Sequence, residues 1–340
     1  MPCTYLLSAP PPLPHLLDRH DFLCFNDDIQ GTGAVALGAL LAAIRTQGND
    51  AKLRDQRIVI MGAGSAGMGV ASSLSRFMMT MEGLSAEEAS ARFWILDKDG
   101  LMTSARSKDS LSVSQLPFAR NIRAPATPVG GYVAASGASL KDGANLTEVV
   151  TAVRPTILLG FTGVGGAFPE KAIREMAAHC DRPIVFPLSN PTANAECSAE
   201  QAYAWTNGRA VFGGGSPFDP VDLGGGKMVQ PSQINNMFMF PGMGLCSVAV
   251  RPRRITCDMF QEAAVAMASM VSNEDLALGR VVPRVRDIRA VSARVAAAAA
   301  AQAMQEGIAG RMPPGDVNLV KYMERIMYEP IYRPLIYKGV

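Results

Sequence analysis

The feature that most constrains the fold is a short apolar run that leads into a glycine-rich turn and then into a helical segment. Residues 57–61 have the pattern of a buried strand, and the turn that follows has the spacing GxGxxG. The residues of this turn are Gly62, Ala63, Gly64, Ser65, Ala66 and Gly67. In dinucleotide-binding folds the first glycine makes the turn, the second admits the pyrophosphate to the backbone, and the third lets the helix pack on the sheet. Glycines that serve only turn and packing are the alternative, and the flanking strand and helix favour nucleotide binding.

Short apolar segments that alternate with helical segments predict the rest of the fold. The predicted strands are 57–61, 93–97, 156–160, 184–188 and 210–213. The predicted helices are 33–46, 65–81, 86–91, 146–153, 169–178, 198–206, 257–271 and 287–305. Strands that are apolar throughout are buried on both faces, as in a parallel sheet. The sequence therefore predicts an α/β fold with a doubly wound, mostly parallel Rossmann-type sheet and a C-terminal helical extension. We divide the chain into a disordered leader (1–14), a nucleotide-binding domain (15–310) and a tail (311–340).

Charge and composition narrow the classes of partner. The chain has 32 Lys and Arg against 30 Asp and Glu, a net charge of +2. This balance predicts no nucleic-acid partner and no membrane surface as a partner. No uninterrupted apolar stretch reaches the roughly 18 residues of a membrane helix. The 6 cysteines have no CxxC spacing, which favours free thiols in an intracellular, reducing compartment, either the cytoplasm or an organelle matrix such as that of a mitochondrion or plastid.

A carboxylate closes the second predicted strand. Asp97 ends residues 93–97, where it can accept hydrogen bonds from both ribose hydroxyls and repel a 2′-phosphate. A turn or helix-cap aspartate is the alternative. Lys98, Arg106 and Lys108 follow and could meet a 2′-phosphate instead. We therefore expect NAD as the cofactor, with NADP as the alternative.

Two adjacent carboxylates, Asp27 and Asp28, stand in a polar turn directly before an apolar helical run. Aspartate is favoured just before helices, so helix capping is the simple alternative. The Ile-Gln-Gly-Thr sequence that follows the pair is more than a cap needs. One aspartate can bind Mg²⁺ or Mn²⁺ while the other orients a proton relay, which predicts metal-assisted hydride chemistry beside a nicotinamide cofactor.

Amide side chains mark two further positions. Asn190 follows the strand 184–188 at the carboxyl edge of the sheet, where ligands of open α/β folds bind. A plain Asn-Pro turn explains Asn190 equally well. Asn235 and Asn236 lie inside an apolar segment, so their amides need partners, either substrate or backbone.

Several segments, in order along the chain, resemble segments of the malic enzyme family. They are FNDDIQGT (25–32), GAGSAG (62–67), LSNPT (188–192), AEC (195–197), GSPF (215–218) and FPGMGL (240–245). The resemblance extends from about residue 16 to about residue 303. It implies oxidative decarboxylation of malate to pyruvate and CO₂, with hydride transfer to NAD or NADP and with Mg²⁺ or Mn²⁺ as the metal.

The same resemblance implies the roles of single residues. Asp28 matches a carboxylate ligand of the metal, and Asp27 matches its neighbour in the proton relay. Asn190 and Asn235 match amides that hold malate. The residues that match the cofactor site are Gly62 to Gly67, Asp97 and Asn190. Because the family forms oligomers, we expect a homo-oligomer or an association with a full-length malic enzyme.

The resemblance also implies parts that we do not find in the sequence. The family's lysine base, tyrosine acid and malate-binding arginine belong to a preceding domain, and a Glu-Asp pair should complete the metal site. We therefore expect a chain that binds dinucleotide weakly and turns malate over little or not at all. A non-catalytic binding or regulatory subunit that assembles with full-length malic enzymes is the alternative. A different dehydrogenase on the same fold is the third hypothesis, and it lacks a recognisable catalytic base.

Overall fold

The framework of the protein is a mostly parallel sheet. A computed structural model describes residues 23–48, 50–107, 110–121 and 140–332. Its strands are β1 (Ile58–Met61), β2 (Phe93–Asp97), β3 (Gly100–Leu101), β4 (Ile157–Gly160), β5 (Ile184–Pro187), β6 (Val211–Gly214), β7 (Val221–Asp222), β8 (Met228–Val229) and β9 (Ser232–Gln233). The main sheet has 7 strands in the order β3-β2-β1-β4-β5-β6-β9, and β7 and β8 form a separate antiparallel pair. Within the main sheet only β3 runs antiparallel to its neighbour.

The central strand β1 shows why the sheet is covered on both faces. Ile58 pairs with Phe93 on one side and with Ile157 on the other, so both edges of β1 are hydrogen-bonded. Ile58 and Ile60 enter one hydrophobic core, and Val59 enters the core on the opposite face. Successive strand side chains alternate between faces, so an apolar run without alternation fits only a strand between two cores. The predicted doubly wound parallel sheet is confirmed.

Helices form a layer on each face of the sheet. They are α1 (Thr32–Ile44), α2 (Ser65–Glu82), α3 (Ala86–Ser90), α4 (Leu146–Val153), α5 (Glu170–His179), α6 (Ala199–Trp205), α7 (Phe240–Val250), α8 (Cys257–Ser269), α9 (Asn273–Ala277), α10 (Ile288–Gln305) and α11 (Leu319–Ile326). Helices α4, α5 and α6 supply the core on one face. Helices α1, α2, α7, α8 and α10 supply the larger core on the other face, and α11 packs on α10. The predicted C-terminal helical extension is thereby confirmed.

Three helices differ from the sequence prediction, namely α7, α9 and α11. Helix α7 begins with Phe-Pro-Gly and is apolar around its whole circumference, so the helical period of apolar residues is absent from its sequence. Helix α9 is short and begins with a side-chain cap from Ser272. Helix α11 lies in the segment 311–340 and is capped by Asn318, whose side chain accepts from the Lys321 amide. The predicted leader, 1–14, lies outside the described residues.

Helix α1 is the most apolar element of the larger core. The stretch Asp27–Gln47 is long and apolar enough to cross a membrane, and 72% of its most apolar window is buried inside the protein. A core helix passes the same length and composition test, and α1 packs between α2 and α8. The burial therefore accounts for the composition of α1 without a membrane.

Most of the cysteines in the described residues are free. Cys180, Cys197 and Cys246 are free thiols. Cys257, at the start of α8, is disulfide-bonded, so the expectation of free thiols is wrong at that position. Burial raises the pKa of the Cys246 thiol to about 12, which keeps this thiol protonated and unreactive near neutral pH.

Candidate active site

Several of the predicted site residues lie at the carboxyl ends of strands: the glycine-rich turn follows β1, Asp97 ends β2, and Asn190 follows β5. From β1 the chain runs outward to β2 and β3, and it then crosses back to β4 on the other side of β1. The direction of winding reverses between β1 and β4, and open α/β sheets bind ligands at such a switch point, outside the carboxyl ends of the strands. This rule predicts a ligand crevice whose two walls are the loops that follow β1 and β4.

The glycine-rich turn after β1 forms the first wall. Gly62 has a φ of +113°, and a Cβ there would come closer than 3.0 Å to the Phe161 carbonyl oxygen. A Cβ on Gly67 would come equally close to the Gly62 carbonyl oxygen. A Cβ on Gly64 would meet nothing within 4 Å. The first and third glycines are thus required by the fold itself, whereas the second faces open space.

The amino end of α2 opens from this turn. Gly64 is the N-cap residue and supplies no side-chain cap, and Ser65 is exposed. The first amides of a helix need hydrogen-bond acceptors and attract anions. The Gln115 Nε2 donates to the Ala63 carbonyl oxygen at 3.0 Å and so fixes the turn from a neighbouring loop. The arrangement can therefore receive a pyrophosphate at Gly64.

Asp97 lies at the end of β2, beside the turn. Its Oδ1 accepts from the Asp99 amide at 2.9 Å, and its Oδ2 accepts from Arg106 Nη1. The Arg106 Nε also lies 3.3 Å from both carboxylate oxygens of Asp142, and the Arg106 side chain is only 11% exposed. Arg106 is therefore held between two carboxylates. Lys98 pairs with Asp99 at the surface, and Lys108 lies outside the described residues.

Asp27 lies in a single π-helical turn, Asp27–Gly31, that leads into α1. Its Oδ2 accepts from Asn236 Nδ2 at 3.0 Å, and its Oδ1 is buried without a hydrogen-bond partner in the described residues. Burial raises the pKa of Asp27, the hydrogen bond from Asn236 opposes this rise, and the nearby charge of Asp28 adds to it. A Cβ on Gly31 would collide with the Asp27 carboxylate, so the glycine lets the carboxylate fold back over the turn.

The same turn packs against the first turns of α2. A Cβ on Gly69 would lie 3.1 Å from the Ile29 carbonyl oxygen, which shows how closely the two backbones approach. The paired aspartates therefore stand near the helix that begins at the glycine-rich turn. Asp28 is exposed, in contrast to its partly buried neighbour.

The described residues supply only part of a metal site. The unpartnered Oδ1 of Asp27 and the free carboxylate of Asp28 are the oxygen ligands that Mg²⁺ or Mn²⁺ prefers. Among the described residues, however, no group of three or more His, Cys, Asp or Glu side chains is placed to hold a metal ion. The donor set therefore fits a divalent cation in kind and falls short of it in number.

The two asparagines of the segment Asn235-Asn236 have different partners. The Asn235 Oδ1 accepts from the Met237 amide at 2.9 Å and caps a short helical turn. The Asn236 Nδ2 donates to the carbonyl and carboxylate oxygens of Asp27, both at 3.0 Å. Sequence reasoning assigned a role to Asn235, and it missed that Asn236 holds Asp27. A polar pair inside an apolar segment was the signal, but it could not tell which of the two amides faces the aspartate.

Asn190 follows β5 at the carboxyl edge of the sheet, with a cis peptide bond to Pro191. Its Oδ1 accepts from Ser216 Oγ at 2.8 Å, and the residue itself is exposed. The amide is thus anchored through its oxygen. Glu196, which sequence reasoning did not select, is fully buried next to the same loop. The signal for it was a carboxylate between two small apolar residues, Ala195 and Cys197, just before α6.

Comparisons with known proteins identify the family of the chain. The sequence model of the malic enzyme NAD-binding domain matches residues 29–304. The chain is 41% identical to an NADP-dependent malic enzyme of Dictyostelium discoideum over 94% of this chain and 55% of the relative. It is 42% identical to NAD-dependent malic enzyme 3 of Bacillus subtilis over 94% of this chain and 54% of the relative.

A solved structure gives the same result at the level of the fold. The crystal structure of a malic enzyme from Pyrococcus horikoshii superposes with a TM-score of 0.67 at 26% identity, over 92% of this chain and 61% of that one. The chain spans about half the length of the curated relatives that it matches. Because the domain model covers most of its residues, the chain belongs to the malic enzyme family and carries that family's NAD-binding domain.

Proposed function

We propose that this chain provides the cofactor-binding part of an enzyme that oxidises and decarboxylates malate to pyruvate and CO₂, with NAD or NADP as hydride acceptor. The observation that carries the proposal is the open position at Gly64, where a Cβ would meet nothing within 4 Å, between two glycines that the fold itself requires. If the turn served only packing, we would expect neighbouring atoms to fill the space beside Gly64 at the amino end of the helix. The names of the relatives support both nicotinamide cofactors.

In this proposal the residues of the crevice bind different parts of the cofactor and the substrate. The turn Gly62 to Gly67 and the amino end of α2 bind the pyrophosphate, and Asp97 accepts hydrogen bonds from the ribose. Asn190 and Asn235 orient the malate carboxylates through their amides. Asp27 holds a proton in transit, a task that suits a carboxyl group whose pKa burial raises above its ordinary value.

The same proposal includes a divalent metal ion, for which this chain supplies few ligands. Asp28 would contribute carboxylate oxygens to Mg²⁺ or Mn²⁺, which in this chemistry would polarise the keto group. A lone carboxylate holds a strongly hydrated dication poorly, so we expect weak metal binding by the chain alone. For the same reason we expect little or no malate turnover by the chain alone.

Calorimetric titration with NAD and with NADP tests the cofactor half of the proposal. When Gly64 is replaced, binding of NAD, of NADP and of ADP-ribose should all be lost, because the three ligands share the pyrophosphate. A tighter dissociation constant for NADP than for NAD would overturn our preference for NAD. Malate-dependent NADH formation by the purified chain, abolished by Asp28→Ala, would refute the expectation of low turnover.

A non-catalytic subunit that assembles with a full-length malic enzyme is the second candidate. The observation that favours it is the incomplete donor set beside an intact cofactor turn. Co-purification with a full-length relative, or a change in that relative's activity as the chain is added, would support this candidate. A chain that stays apart from such a relative at micromolar concentration, and leaves its activity unchanged, would exclude it.

A further inference from the structure

Glu196 is the most deeply buried charged side chain at the crevice. It is 0% exposed and lies just before α6, beneath the loops that follow β4 and β5. A Cβ on Gly160, the last residue of β4, would come closer than 3.0 Å to the Glu196 carboxyl carbon. The end of β4 therefore leaves a gap that only glycine provides, and the carboxylate fills it.

The carboxylate collects hydrogen bonds from both loops. Its Oε1 accepts from the Thr162 amide at 2.8 Å and from the Thr162 hydroxyl at 2.7 Å. The same oxygen accepts from the Ser189 hydroxyl at 2.5 Å. Thr162 belongs to the loop after β4, and Ser189 to the loop after β5. A single oxygen thus joins the two loops through charge-assisted hydrogen bonds, which are about twice as strong as neutral ones.

The two hydroxyl groups connect Glu196 to backbone amides of the loops through further hydrogen bonds. The Gly163 amide donates to Ser189 Oγ at 2.9 Å, and the Val164 amide donates to Thr162 Oγ1 at 3.0 Å. Each hydroxyl therefore accepts from a loop amide and donates to Glu196. All three short hydrogen bonds end on one oxygen of Glu196, and an ionised carboxylate oxygen accepts them more strongly than the neutral oxygen of a carboxamide would.

The loops held in this way are those of the second wall of the crevice. Asn190 follows Ser189 directly, and the loop of Thr162 lies across the switch point from the glycine-rich turn. A dinucleotide whose pyrophosphate lies at Gly64 extends its adenosine half toward β2 and its nicotinamide half toward β4. The adenosine half therefore lies on the side of the turn away from the loops that Glu196 holds.

We propose that Glu196 is a positioning residue, which fixes the loop at Thr162 and the Ser189-Asn190 segment so that the nicotinamide half of the cofactor is held in place. This inference rests on the proposed function. Glu196 touches neither cofactor nor substrate in this role, and it acts through the Thr162 amide and the two hydroxyl side chains. Its loss should therefore be selective for one half of the cofactor.

The test compares ligands that share the adenosine half. Dissociation constants for ADP-ribose and NADH are measured by calorimetry, and the fluorescence of bound NADH reports the surroundings of the nicotinamide. With Glu196→Gln we expect ADP-ribose to bind within about twofold of the wild-type chain, because its contacts lie on β1 and β2. We expect NADH binding to weaken about tenfold or more, as for the loss of a charge-assisted hydrogen bond, and its fluorescence change on binding to disappear.

Control variants keep the result decisive. Glu170→Gln makes the same change at an exposed glutamate paired with Arg174, and it should leave both ligands unaffected. If Glu196→Gln does not fold, Ser189→Ala and Thr162→Val each remove one donor, and Thr162→Ser should restore the wild-type values. Equal weakening of ADP-ribose and NADH in these variants would assign Glu196 a merely structural role and overturn the inference. A wild-type chain that binds neither ligand would instead refute the proposed function, and the inference with it.

Discussion

Two single-methyl substitutions in the glycine-rich turn should separate binding from stability. Gly64 has a φ of −77°, which any L-residue adopts, and its added Cβ would have open space around it. Gly64→Ala should therefore leave the free energy of unfolding unchanged or raise it by about 0.4–1 kcal/mol, since alanine restricts the unfolded chain. The methyl group would occupy the space in which a phosphate oxygen approaches the helix amides. Loss of one such charge-assisted bond, about 1.5–3 kcal/mol, corresponds to roughly 10- to 150-fold weaker binding of NAD and of ADP-ribose.

Gly67→Ala should instead lower the stability of the chain. Its Cβ would come closer than 3.0 Å to the Gly62 carbonyl oxygen, which is backbone and cannot rotate away. Overpacking of this kind costs about 1–3 kcal/mol, and the better helix propensity of alanine returns about 1 kcal/mol. Because the overlap is with backbone, we expect the cost to lie at the upper end of this range and the net loss in stability to be about 2 kcal/mol, since α2 must shift off the turn.

Urea unfolding and calorimetric titration of both variants give the measurement. Wild-type affinity for NAD in Gly64→Ala would show that the pyrophosphate does not lie at this turn. Wild-type stability in Gly67→Ala would show that the close approach of α2 to the turn is not a constraint. Either result would refute the separate roles that we assign to the two glycines.

The remaining predictions concern the carboxylates and the core. Asp27→Asn should stabilise the chain at pH 7, because the raised pKa of Asp27 means that its charged form is disfavoured in the folded state. This gain in stability should shrink as pH falls through the raised pKa toward 3.8, because the folded wild-type chain takes up a proton at Asp27 before the unfolded chain does. Asp28→Asn, at the exposed neighbour, should change thermal stability by less than about 0.5 kcal/mol across the same pH series. Arg106→Gln should lower the free energy of unfolding in urea by about 1–3 kcal/mol, because two carboxylates lose their shared cation, and an unchanged midpoint would contradict this. Phe212→Ala, at a fully buried ring that contacts Phe218 edge to face, should cost about 3–5 kcal/mol with an unchanged denaturant slope.

The parallel strands could be predicted from sequence because burial on two faces leaves an apolar run that few other elements share. Strand β1 and the glycines after it are an example, since local chemistry fixes both. Helix α7 could not be predicted, because a helix that is apolar on all sides has no polar face to reveal its period. The short strands β3 and β9 carry too few residues for any pattern to show.

The candidate site was predictable in its parts and not in its connections. The pairing of Asp27 with Asn236 joins residues 209 positions apart, and no local pattern encodes it. Glu196 was not selected from the sequence, because a sequence does not show whether a carboxylate is buried. Its role is visible only from its hydrogen bonds with the hydroxyls of Thr162 and Ser189. Sequence therefore supplies the chemistry of a site more readily than the partners that hold it.

The burial of α1 has a consequence for how the chain is made. Almost all of its residues are buried, yet α8, against which it packs, comes far later in the sequence. Arg45, at the end of α1, donates to the Val271 carbonyl oxygen across 226 positions. At ribosomal speeds of roughly 5–20 residues per second, this partner segment emerges about 10 to 45 seconds after α1. During that interval a nascent chain leaves exposed the apolar side of α1 that α8 later covers, so its yield in a cell should depend on the factors that shield nascent chains at the ribosome.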